Sequence, residues 1–233
     1  VALQLIILEQ PWYPIRKDMR QASVQGFFQG LCRNHQNLTP LYLNFVDIGS
    51  FNLSLEHMMH WNTKNRKILY VAAHGDNDTI GDIDFNIVCR SINNIAKHRN
   101  LEGVIFDSCC VGGNCNLIND MIRASKIRWC FGYSNEVDWV SSMLVNLSIV
   151  DKFSEQENVD GNRRASEFYV DDGYLLDRFS AAFSMFFGDY ELGAAGAAQQ
   201  KQLKNCINLY YQASVQGARP YNITQSLRQR LNW

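Results

Sequence analysis

No apolar run in this sequence approaches the roughly 18–20 residues a helix needs to cross a bilayer. The apolar stretch from Ala2 to Leu8 is too short for a signal peptide and has no basic flank. A surplus of charge is missing as well. Lys and Arg number 22 against 23 Asp and Glu, for a formal net charge of −1. Such a balance gives no electrostatic reason to expect nucleic acid or an anionic membrane as partner. Cysteine pairing is also lacking: the 7 cysteines, at 32, 89, 109, 110, 115, 130 and 206, are odd in number. Most fall in segments that read as helices or strands, which suits free thiols in a reducing compartment better than a disulfide framework. Cys109, Cys110, Cys115 and Cys130 fit neither a C-x-x-C redox motif nor a structural zinc pattern. No solenoid period is visible. The expectation is a soluble cytoplasmic protein whose 233 residues form one domain with a full core.

What the sequence does contain is an alternation of strand and helix. Strands are expected over 3–8, 41–46, 67–73, 103–108 and 127–132. Amphipathic helices are expected over 18–34, 55–61 (with Ser54 as N-cap), 85–97, 117–124 and 139–150. The segment 75–84 reads as a polar loop. Alternation with connections long enough for crossovers implies an α/β fold, a doubly wound and mostly parallel sheet flanked by helices. This core is expected to span residues 1–151. Residues 152–170 read as an exposed loop, and 171–233 as an aromatic helical extension packed on the core.

Two of the strands end in reactive side chains. Gly103-Val104-Ile105-Phe106-Asp107-Ser108-Cys109-Cys110-Val111-Gly112-Gly113 climbs through an apolar run to two thiols and breaks into glycines. Lys67-Ile68-Leu69-Tyr70-Val71-Ala72-Ala73-His74-Gly75 has the same design and ends in a histidine. Open α/β sheets build their sites at the carboxyl ends of strands. A cysteine acts as a nucleophile only as thiolate, and a nearby histidine both promotes that form and protonates a leaving group. The competing reading makes Cys109 and Cys110 small core residues. The glycine break and the His-Gly partner favour chemistry. Because successive strand residues point to opposite faces, one thiol alone is expected to face His74.

His74-Gly75 after one strand and Asp107-Ser108-Cys109 with Gly112 after the next resemble the caspase-like (clan CD) cysteine peptidases. Within them the pattern is most similar to the bacterial CHAT-type and metacaspase-like branches. The animal-caspase signature Q-A-C-[RQG]-G is absent, so animal-caspase specificity does not carry over. The resemblance implies peptide-bond hydrolysis through a Cys109–His74 dyad, with the N–H groups of Gly75 and Cys109 as oxyanion hole. It implies no cofactor and no metal. The family spacing selects Cys109 as nucleophile and leaves Cys110 a bystander. Asp107 matches an acid that lines the first specificity pocket in metacaspase-like relatives. Glu136 and Asp138 could add negative charge to it, giving cleavage after Arg or Lys, the alternative being that Asp138 caps the helix that follows and Glu136 is simply solvated. The alternatives are an acidic substrate residue held by Arg16 or Arg20, and a catalytically silent module that binds a peptide or ligand.

Relatives are held latent and released by a cut, a partner or a small molecule, some as bacterial defence effectors. On that pattern Arg163-Arg164 is a candidate self-cleavage site, and the partners are protein or peptide substrates plus an activating ligand or protein. Asp76, Asp78 and Asp82 resemble a calcium string but lack its glycine and terminal glutamate, and read as loop solvation.

Overall fold

The computed structural model describes residues 2–11, 23–61, 65–123, 125–155, 171–193, 202–213 and 217–233. The chain runs β1 (Leu3–Glu9), α1 (Gln25–Asn34), β2 (Leu38–Asn44), α2 (Ile48–His60) and β3 (Arg66–Ala72). A small hairpin of β4 (Thr79–Ile80) and β5 (Ile83–Asp84) precedes α3 (Phe85–Ala96), β6 (Leu101–Asp107) and α4 (Cys115–Ile122). Then come β7 (Trp129–Tyr133), α5 (Trp139–Ser154), α6 (Asp172–Phe183), α7 (Leu203–Cys206), β8 (Ile207–Tyr211), β9 (Tyr221–Asn222) and α8 (Thr224–Arg230). Among the described residues, seven strands form one sheet in the order β2-β1-β3-β6-β7-β8-β9. The first five are parallel, and β8 and β9 each run antiparallel to the strand before them.

The central strands are apolar at successive positions because both faces of the sheet are covered. Ile7, Tyr70, Ile105, Phe131 and Leu209 join a core with Phe28 of α1, Met143 of α5, Phe179 of α6 and Leu227 of α8. Leu8, Leu69, Val71, Val104 and Phe106 point the other way, onto Phe51 of α2, Val88 of α3 and Ile118 of α4. Helices thus lie on both faces, as the alternation predicts.

Several boundaries differ from the sequence reading. β2 starts at Leu38 and takes in Pro40, which an edge strand tolerates because it need not donate to a further neighbour. Ser54 is not an N-cap. Helix α2 starts earlier, where the Asp47 carboxylate accepts from the Ser50 N–H at 2.7 Å and the Ser50 hydroxyl accepts from the Asp47 N–H at 3.0 Å. Segment 75–84 is not only loop, since it folds the β4–β5 hairpin.

Describing 171–233 as a helical extension is incomplete. Between α6 and α8 the chain re-enters the main sheet as β8 and β9. The β8 run Ile-Asn-Leu-Tyr-Tyr is rich in β-formers and lies against β7, with Leu209 on one core face and Tyr210 on the other. The first part of the expected helix over 18–34, and most of the loop 152–170, lie outside the described residues.

Candidate active site

Strands β3 and β6 are parallel neighbours, with Ala72 opposite Asp107. Two residues beyond each partner stand His74 and Cys109, so both emerge at the same level of the sheet's C-terminal edge. The Ala73 N–H donates to the Asp107 carbonyl at 3.3 Å and continues the pairing past the strand ends. There the two tips touch. A Cβ on Gly75 would stand 2.7 Å from the Cys109 carbonyl oxygen and 2.9 Å from Ser108 Cβ, so only glycine allows the approach. His74 is exposed, and its carbonyl accepts from the Gly81 N–H at 2.6 Å, which ties it to the hairpin. A further strap, from Asn114 Nδ2 to the Asn77 carbonyl at 3.1 Å, links the loops that follow the two residues.

The Cys109 thiol is half-buried and lies against the backbone of Val137, in the loop between β7 and α5. Its Sγ accepts from the Val137 N–H at 3.4 Å and donates to the Val137 carbonyl at 3.7 Å. Burial pushes its pKa up, as do the carboxylates of Asp107 and Glu136, while the Val137 N–H pulls the other way. These influences together favour the protonated thiol. Val137 was not legible in the sequence, because what it contributes is backbone.

Strand alternation does not apply to the two thiols as the sequence reading assumed. β6 ends at Asp107, Ser108 to Cys110 form a bend, and Cys110 has φ 64°. After it, the tight turn Val111–Gly113 packs on β7, where a Cβ on Gly112 would meet the Gly132 carbonyl carbon at 2.3 Å. The Tyr210 hydroxyl of β8 donates to the Gly112 carbonyl at 2.9 Å and pins that turn from the far side.

Asp107 does not open to solvent; the residue is 2% exposed. Its carboxylate accepts from the Tyr70 hydroxyl at 2.5 Å. Asn146 Nδ2 donates to Tyr70 at 3.2 Å, and the Tyr133 hydroxyl donates to Asn146 Oδ1 at 2.9 Å. Burial pushes the Asp107 pKa up to about 6 against these hydrogen bonds. Asn146 and Ser142, one turn apart on α5, complete a buried polar cluster around Asp107 that the sequence reading missed.

Asp138 caps α5, its Oδ1 accepting from the Val140 and Ser141 N–H groups at 3.1 and 3.0 Å. Glu136 is exposed on the same loop. Asp76 and Asp84 are likewise taken up by local backbone, and among the described residues no group of three or more His, Cys, Asp or Glu is placed to hold a metal. Arg16, Arg20, Arg163 and Arg164 lie outside the described residues. No described helix is long and apolar enough to cross a membrane.

Fold and site together define an open α/β sheet that presents a histidine and a cysteine on adjacent strand tips. No family model and no curated protein matches the sequence. Among solved structures the chain is similar to a secreted C11 cysteine protease from Bacteroides thetaiotaomicron, in complex with an irreversible peptide inhibitor. Identity is 8% and the TM-score 0.47, over 90% of this chain and 66% of that one.

Proposed function

We propose that this chain is a cysteine peptidase in which Cys109 attacks the scissile carbonyl and His74 protonates the departing amine. The observation that carries the reading is the contact of the two strand tips, where Gly75 lies against the backbone of Cys109. It supports a shared site for the imidazole and the thiol, with the Gly75 and Cys109 N–H groups cradling the oxyanion. His74 first takes the thiol proton and then delivers it to the leaving nitrogen, so no cofactor enters the cycle.

Cleavage after Arg or Lys is the favoured specificity. Among the described residues, the bonding partners of the buried Asp107 carboxylate are hydroxyls and an amide, with no cation. Closed off from solvent, that carboxylate would favour a substrate guanidinium through its charge and not by direct contact. Glu136 sits close enough for its charge to bear on the Cys109 thiol and would favour the same cation. The resting hydrogen bonds of Cys109 Sγ to Val137 support a latent enzyme, because the thiol must give them up before it attacks. A ligand, a partner or a cut at Arg163 or Arg164 would supply the trigger.

The test is a positional peptide library, incubated with wild type, Cys109→Ala and His74→Ala, with and without cell lysate. Cleavage after Arg or Lys by wild type alone, reduced at least about 10³-fold in both variants, is expected. Cleavage that survives Cys109→Ala would refute the dyad. Silence under every condition would favour a binding module on the same sheet.

A further inference from the structure

Cys110 sits beside the proposed nucleophile, and hydrolysis gives it no task. Among the described residues it shares the left-handed region only with Asn232, besides glycines. Glycine is the residue that adopts this conformation without strain, so a thiol here is held against its preference. The surrounding turn does the holding. The Cys110 N–H donates to the Asn135 carbonyl at 3.2 Å, and its own carbonyl accepts from the Gly113 N–H at 2.9 Å. Like Cys109, it is half-buried at the edge of the sheet, and the Glu136 carboxylate acts on both thiols. The Cys109 thiol also acts on Cys110, so the two sulfurs stand near each other at this edge.

We propose that Cys110 is the resolving thiol of Cys109, closing a reversible disulfide between adjacent residues when a hydroperoxide reaches the site. This rests on the reading of Cys109 as a nucleophile. In the first step His74 takes the Cys109 proton, the thiolate attacks the hydroperoxide, the O–O bond breaks, and the proton passes to the alcohol or water that leaves. Cys109 is oxidised by two electrons to the sulfenic acid and the hydroperoxide is reduced. The Cys110 sulfur then attacks the Cys109 sulfur. An S–S bond forms, the S–OH bond breaks, and the hydroxide leaves as water with the Cys110 proton.

Adjacent Cα atoms stand about 3.8 Å apart, short of the roughly 4.4–6.8 Å that relaxed disulfides span. The bond is therefore strained and readily reduced, so a thiol reductant returns the enzyme to service. Without the second thiol, the sulfenic acid would pass on to the sulfinic state, which dithiothreitol does not reverse. Cys115, exposed at the start of α4, is the rival resolving thiol.

The experiment treats the full chain with hydrogen peroxide, then with dithiothreitol, and follows the peptide holding residues 109–115 by mass spectrometry. Wild type, Cys110→Ser, Cys110→Gly and Cys115→Ser are compared; glycine suits the φ at 110 and guards against misfolding. Loss of two hydrogens in wild type and Cys115→Ser, reversed by dithiothreitol, is expected. Both Cys110 variants should instead gain two oxygens on Cys109 irreversibly. Irreversible oxidation in wild type, or a disulfide that persists in the Cys110 variants and vanishes in Cys115→Ser, would overturn the proposal. The readout is chemical, so a protein that cycles this way yet cleaves no peptide would refute the peptidase reading and leave the thiol pair standing.

Discussion

A methyl group at position 75 would stand 2.7 Å from the Cys109 carbonyl oxygen, with backbone rather than a flexible side chain in its way. Gly75→Ala must therefore push the two strand tips apart. Misplacement by about 1 Å costs on the order of 10²-fold in rate, and kcat/KM should fall by that much while circular dichroism stays that of the folded protein. Asp107 raises a different issue, since it weakens the fold that contains it. Its pKa is about 6 in the fold against 3.8 when free, chiefly through burial, so the folded state binds the proton more tightly than the unfolded chain. The carboxylate then costs nothing below about pH 3.8 and an increasing amount up to pH 6, levelling at roughly 3 kcal/mol or less. Asp107→Asn should raise the melting temperature at about pH 7.5, leave it nearly unchanged at about pH 3.5, and abolish any preference for Arg or Lys. A variant less stable at the higher pH would show that the carboxylate serves the fold instead.

At the scale of elements, the turn after Cys109 depends on β8, almost a hundred residues further along the chain. Tyr210→Phe removes the hydroxyl that serves the buried Gly112 carbonyl. The expected loss is about 1–2 kcal/mol, read as a lower midpoint in urea with an unchanged slope. The strands that carry His74 and Cys109 were legible because apolar runs broken by glycine have few other interpretations. β8 was not. Its aromatic residues lie among helical segments, and nothing local distinguishes a strand that closes a distant sheet from another buried turn. The start of α2 was hidden in the same way, since Ser54 reads as a cap and the Asp47–Ser50 hydrogen bonds that begin the helix earlier show only in the fold. Asp138 could be read as helix cap or pocket acid, and the structure shows it capping α5.

Across the whole molecule, the doubly wound sheet followed from the alternation of strand and helix, while the buried polar cluster did not. Tyr70, Tyr133, Ser142 and Asn146 come from two strands and a helix, and only the tertiary fold collects them around Asp107. Strand order has a further consequence. The first five strands of the sheet are built by residues 3–133, and the last two by residues 207–222. Helices α5 and α6 pack on each other across the same divide, with the Ser148 hydroxyl donating to the Ala182 carbonyl at 2.7 Å. A protease nick anywhere between Glu155 and Asp171 should therefore give two bands on a denaturing gel and a single peak at the uncut elution volume on a sizing column. Separation into two peaks would mean that the β7–β8 pairing is too weak to bridge the break. With the pairing intact, severing the backbone leaves one particle with two extra chain ends, a change that a denaturing gel registers and a sizing column does not.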